Sequence, residues 1–145
     1  MKKLAFLFIT LLVLPVMALA EDPRKELLRE IHQGMFKQHE LCVLYARTAL
    51  SLDKPEAGGK LSTCIEEAKS DVENTSSKLA ELLKGNTVQT ALASWRQTWL
   101  STYESANLQA NDTSETYLRR AVDTLKRTDK ASDKFTAAVL KSRLY

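Results

Sequence analysis

From residue 21 onward, apolar positions recur every three or four residues, and nowhere in the two-residue alternation of a half-buried strand. The first helix has a clear start, with Asp22 as N-cap, Pro23 as the first helical residue and Glu26 in the first turn. Its inward stripe reads Leu28, Ile31, Met35, Gln38, Cys42, Tyr45, Ala49 and Leu52. Gly34 weakens this helix by about 1 kcal/mol without ending it. Residues 53–59, with Pro55 and the pair Gly58 and Gly59, read as a turn. A second helix follows from about Lys60 to Lys84, with Leu61, Ile65, Ala68, Val72, Thr75, Leu79 and Leu82 inward, Cys64 beside the stripe and Gly85 as its C-terminal cap. Thr87 caps a third helix that runs to about Ala110, with Val88, Leu92, Trp95, Trp99, Tyr103 and Ala106 inward. Asp112, with Glu115 three residues on, opens a fourth helix to about Arg143, with Leu118, Ala121, Leu125, Thr128, Phe135 and Val139 inward. Short connections between long helices favour antiparallel neighbours. The expected fold is all-α, an antiparallel four-helix bundle of up-down-up-down order.

The first twenty residues follow another pattern. Lys2 and Lys3 precede an apolar run from Leu4 to Leu14, broken only by Thr10 and followed by Pro15. Ala18, Leu19 and Ala20 then put small residues at the −3 and −1 positions of a cleavage site. The run is shorter than the roughly 20 residues that span a bilayer, so the reading is a signal peptide cleaved after Ala20, with no membrane span in the mature form. Glu21, not cysteine, follows the cut, so the usual bacterial lipid attachment is not expected. The short basic start suggests bacterial export, and hence the periplasm. Cleavage leaves residues 21–145 as a single helical domain of 125 residues with a formal charge of about +1. The sequence pI of 8.9 is therefore no argument for nucleic acid as a partner.

In an oxidising compartment Cys42 and Cys64 read as a structural disulfide. Closing a loop of this length stabilises by about 3 kcal/mol on the chain-entropy account. No Cys-x-x-Cys redox pair, haem-attachment motif or zinc spacing is present. The pairing also constrains the hairpin. It centres the turn on residue 53, whereas composition centres it near residue 56. Helix one must end early, helix two must begin before Gly58, or the turn must fold back.

Candidate chemistry is sparse. His32, Met35 and His39 approach one helix face at i,i+3 and i,i+4 spacing and are weak metal or haem candidates. Met35 fits the core stripe, however, and the histidines read as its flank. No other histidine exists to supply a ligand from another helix, so no cofactor and no metal are expected. A nucleophilic triad is hard to assemble with both histidines within eight residues of each other. The carboxylates sit beside basic residues in the manner of a solvated face: Glu26 and Arg29, Glu81 and Lys84, Asp123 and Arg127, Asp129 and Lys130. Glycine-rich phosphate loops and the zinc-protease helix motif are absent. The chain does not read as an enzyme.

Trp95, Trp99 and Tyr103 recur every four residues on helix three, the spacing of core rings. Their surroundings also suit an interface centred on Trp95, Arg96, Trp99 and Tyr103. Between Asn86 and Asn111 the only charges are Arg96 and Glu104, and charge depletion around Trp, Tyr and Arg marks interface centres. Residues 113–145 are the opposite case, with eight basic and four acidic side chains. The order Cys64, a helix, then Trp95 and Trp99 is similar to that of small periplasmic lysozyme-inhibitor domains over about half of the mature chain. Their later cysteine has no counterpart here, and no residue role carries over. The expectation is an exported, periplasmic, non-enzymatic helical protein acting by protein–protein interaction. The roles it suits are inhibitor, immunity factor or envelope assembly accessory, and the partner is an unidentified envelope protein or a second copy of the chain. The alternative is a haem- or metal-binding periplasmic four-helix bundle.

Overall fold

The structure is a computed structural model that describes residues 22–52 and 55–142. The expected signal segment lies outside the described residues. Four helices are present: α1 (Pro23–Leu52), α2 (Pro55–Leu82), α3 (Asn86–Ser105) and α4 (Ser114–Lys141). Each packs on its sequence neighbours, and α1 packs on α4, which closes the four into an antiparallel bundle. No helix among the described residues is long and apolar enough to cross a membrane.

Helix α1 begins as its sequence directs. The Asp22 carboxylate accepts the backbone N–H of Arg24 at 2.9 Å, an N-cap contact, with Pro23 in the first turn. The Arg24 guanidinium then reaches across the bundle to the Val139 and Ser142 carbonyls at 3.0 Å each. It adds to the capping of the α4 C-terminus, where the Val139 carbonyl also accepts from the Ser142 backbone N–H and hydroxyl.

The hairpin conflict is resolved by an early start to α2. This helix begins at Pro55, ahead of Gly58, and α1 ends at Leu52, which agrees with the centre at residue 53 that the disulfide sets. Cys42 and Cys64 are bonded, with Cα atoms 5.6 Å apart. The turn expected over residues 53–59 is thus corrected. Pro55 serves as a first-turn proline, and Gly58 and Gly59 lie inside the helix. A methyl group added at either glycine meets nothing within 4 Å. Gly58→Ala and Gly59→Ala are each expected to raise stability by about 0.5–1 kcal/mol, read as a higher denaturant midpoint.

Two further boundaries differ from expectation. Gly85, at φ 99°, caps the start of α3, and the end of α2 is covered by the Gln89 side-chain amide, which donates to the Ala80 and Leu83 carbonyls. Thr113, not Asp112, caps α4. Its hydroxyl accepts the Thr116 N–H at 3.2 Å, and the Thr116 hydroxyl accepts the Thr113 N–H at 2.9 Å. Thr113→Ala should cost about 1 kcal/mol of unfolding free energy. Asp112 instead pairs with Arg120 at 2.6 Å, and the Arg120 guanidinium also donates to the Ser105 and Asn107 carbonyls. The loop between α3 and α4 is thereby tied to the first turns of α4. Hydrogen bonds from Arg120 hold the Asp112 carboxyl below its usual pKa range.

The core is dominated by rings from α3. Trp95, Trp99 and Tyr103 are 1%, 2% and 0% exposed. Trp95 lies 5.5 Å from Phe135, and Trp99 stacks on Tyr103 at 5.7 Å between centroids. Against these rings α4 turns small residues inward: Thr124, Thr128 and Ser132 are buried, along with Tyr117 and Ala121, whereas Leu118 and Leu125 are only half-buried. The stripe of α1 is likewise shifted, with His39 and Ala46 buried and Gln38 and Tyr45 half-buried. On α2, Ser76 replaces Thr75 in the interior, and Leu82 at the helix end is 70% exposed.

Candidate functional site

The two charged residues of α3 are both turned toward α2. Arg96 pairs with Glu73, and Glu104 accepts from Lys69 at 2.9 Å. These pairs close the α2–α3 seam and leave the side of α3 that faces α4 without charge. That side presents Ser94, Gln97, Thr98 and Ser101. The expected interface is corrected accordingly. Trp95, Trp99 and Tyr103 are interior rings because large apolar area is favoured away from water, and Arg96 belongs to a seam with α2.

Facing this uncharged wall is the basic side of α4. Arg127, Lys130 and Lys134 follow at three- and four-residue spacing, so they share one helix face over about 10 Å of rise. The two walls enclose an open groove of about 580 Å³ in which no carboxylate takes part. It continues past Ala91 and Thr90 toward Thr87 and Asn86. Its floor joins the helices directly. The Thr102 and Thr128 hydroxyls lie 2.6 Å apart, and each also reaches the carbonyl one turn back, Thr98 at 2.8 Å and Thr124 at 3.0 Å. Two protons serve three contacts, so one hydroxyl donates between the helices and the other to its own backbone.

The cations of α4 before its last turn divide into two groups. Arg119, Arg120 and Lys126 pair with Glu115, Asp112 and Asp123. Arg127 donates to the Thr124 hydroxyl at 3.2 Å, and neither it nor Lys130 nor Lys134 forms an ion pair among the described residues. Asp129 and Asp133 act on the other flank of α4, where their charges oppose the lowering of the His32 pKa by burial. Asp129 and Asp133 therefore lie on a different side of the helix from the groove cations.

The metal and haem candidates have other surroundings. His32 is half-buried between the indoles, 6.4 Å from Trp95 and 5.9 Å from Trp99, and its Nε2 accepts from Trp95 Nε1 at 3.4 Å. His39 is 1% exposed against the Tyr103 ring, so it is a core residue, not the flank expected. The Met35 side chain is buried, and its backbone carbonyl accepts the Tyr103 hydroxyl at 2.8 Å. Seven residues separate the histidines, about 10 Å along the axis, too far to share an ion. No group of three or more His, Cys, Asp or Glu among the described residues has metal-holding geometry. No known protein family, curated protein or solved structure matches the chain.

Proposed function

We propose that the protein is an exported, non-enzymatic helical protein that binds an envelope protein through the α3–α4 groove. The observation that carries this reading is the groove itself: unpaired cations on one wall, uncharged hydroxyls and an amide on the other, and no carboxylate between them. Cations held on a rigid helix and left unpaired within the monomer favour a partner of opposite charge by electrostatic complementarity. Ion pairing closes the α2–α3 seam and ties down the α3–α4 loop elsewhere in this chain, and its absence in the groove leaves charge for a second molecule. Within an envelope setting, the roles this suits are an inhibitor or immunity factor and an assembly accessory. Export rests on the basic start, apolar run and Ala18-Leu19-Ala20 cleavage pattern, and on a cysteine pair suited to an oxidising compartment.

Two measurements test the reading. The mass of the protein recovered from the envelope fraction is expected to correspond to a chain starting at Glu21, and an intact Met1 start contradicts export. A photo-crosslinking residue placed at Gln97 is expected to give a discrete adduct in the native envelope, and the same residue at exposed Glu66 on α2 is expected to give none. Equal labelling at both positions, or none at Gln97, contradicts a partner at the groove.

A further inference from the structure

We infer that the groove takes an extended, acidic segment of its protein partner, with carboxylates two residues apart. The inference rests on the reading above and specifies its ligand. Lys130 and Lys134 are separated by about 6 Å of helical rise. In an extended segment, side chains on one face recur every two residues, or about 6.5 Å. Two carboxylates at i and i+2 therefore meet Lys130 and Lys134 together, and Arg127 lies one turn before them. The opposite wall then faces the intervening side chain at i+1, toward which the Ser94, Gln97 and Ser101 side chains supply hydrogen-bonding groups. Three to four extended residues fill the length of the cation row.

Other anionic surfaces fit less well. A flat anionic bilayer would meet the exposed surface of α4 as a whole, where Asp123, Asp129 and Asp133 stand among the cations, whereas a segment in the groove meets cations alone. A single-stranded nucleic acid needs aromatic platforms for its bases, and Trp95, Trp99 and Tyr103 are interior.

The test uses the full mature chain and a fluorescein-labelled peptide of alternating Glu and Ser, with a Lys-for-Glu peptide and phosphatidylglycerol vesicles as comparators. The acidic peptide is expected to bind saturably, to weaken with added salt, and to lose about tenfold or more in affinity in Lys130→Glu/Lys134→Glu. Lys60→Glu/Lys78→Glu, on α2, is expected to bind as wild type. Both groove lysines are exposed and unpaired, so an unchanged thermal melt should accompany the loss; Ser101→Leu, which blocks the other wall without altering charge, is expected to weaken binding too. Absence of peptide binding, equal binding by the charge-reversed protein, or binding of vesicles in place of peptide each overturns the proposal. The Gln97 crosslink separates the two levels. An adduct that persists in Lys130→Glu/Lys134→Glu removes the acidic segment but leaves the protein partner, whereas no adduct in the wild type removes the partner itself.

Discussion

Replacing Cys42 and Cys64 together by alanine is expected to lower the unfolding free energy by about 3 kcal/mol, measured by denaturant titration under oxidising conditions. The bond closes a 22-residue separation across the α1–α2 hairpin. Both cysteines are buried, so alanine introduces no unsatisfied polar group. The cross-link also supports a costly piece of backbone. The first turns of α2 contain Pro55, Gly58 and Gly59, a poor stretch for an independent helix. The loss is therefore expected to show first there, as faster amide exchange over residues 56–63 than over α3. A change below about 1 kcal/mol, or uniform exchange across the bundle, contradicts this account.

The second large effect concerns His39. Burial pushes its pKa down to about 4, from an ordinary value near 6.5. Neither ring nitrogen has a hydrogen-bond partner in the structure. A base with a depressed folded pKa binds fewer protons in the folded state than in the unfolded chain. Stability is then fully retained above pH 6.5, falls as pH drops through the window from 6.5 to 4, and levels off below it. The shift corresponds to roughly 3 kcal/mol across the window. His32, lowered by burial in the same direction, adds to the slope. His39→Leu is expected to remove most of the loss between pH 6.5 and 4, and to raise stability at pH 7 by about 1 kcal/mol because an unsatisfied imidazole leaves the core. A wild-type and variant pair with parallel stability curves over that window contradicts the assignment.

Much of the fold was legible because the helices are long and their apolar spacing is regular. Val88, Leu92, Trp95, Trp99, Tyr103 and Ala106 were expected inward and are buried, since two indoles and a phenol on one face leave little choice of orientation. The buried positions of helices α1 and α4 lie one residue out of phase with the apolar pattern in places. On α1 the polarity of His39 disguised a residue that the Tyr103 ring accepts. On α4 the leucines at 118 and 125 looked more suitable for a core than Thr124 or Ser132. The bulk of the α3 rings decides otherwise, because small side chains let α4 approach them. Leu82 was expected inward because periodicity does not register where a helix leaves its neighbours.

The groove was legible only as ingredients. A charge-poor third helix and a basic fourth helix stand in the sequence, but their relative rotation does not. That Arg96 and Glu104 both turn to α2 depends on Glu73 and Lys69, which lie 23 and 35 residues away from them along the chain. The segregation of Asp129 and Asp133 from Lys130 and Lys134 likewise emerges only when α1 and α3 are placed on opposite sides of α4.

A photo-crosslinker scan around the bundle in the native envelope tests the central claim most directly, with probes at Gln97, Ser101 and Lys134 in the groove and at Lys37, Glu66 and Lys78 elsewhere. The expected result is one adduct of the same mass from all three groove positions and none from the other three. Adducts concentrated on α1 or α2, with the groove unlabelled, would contradict the account.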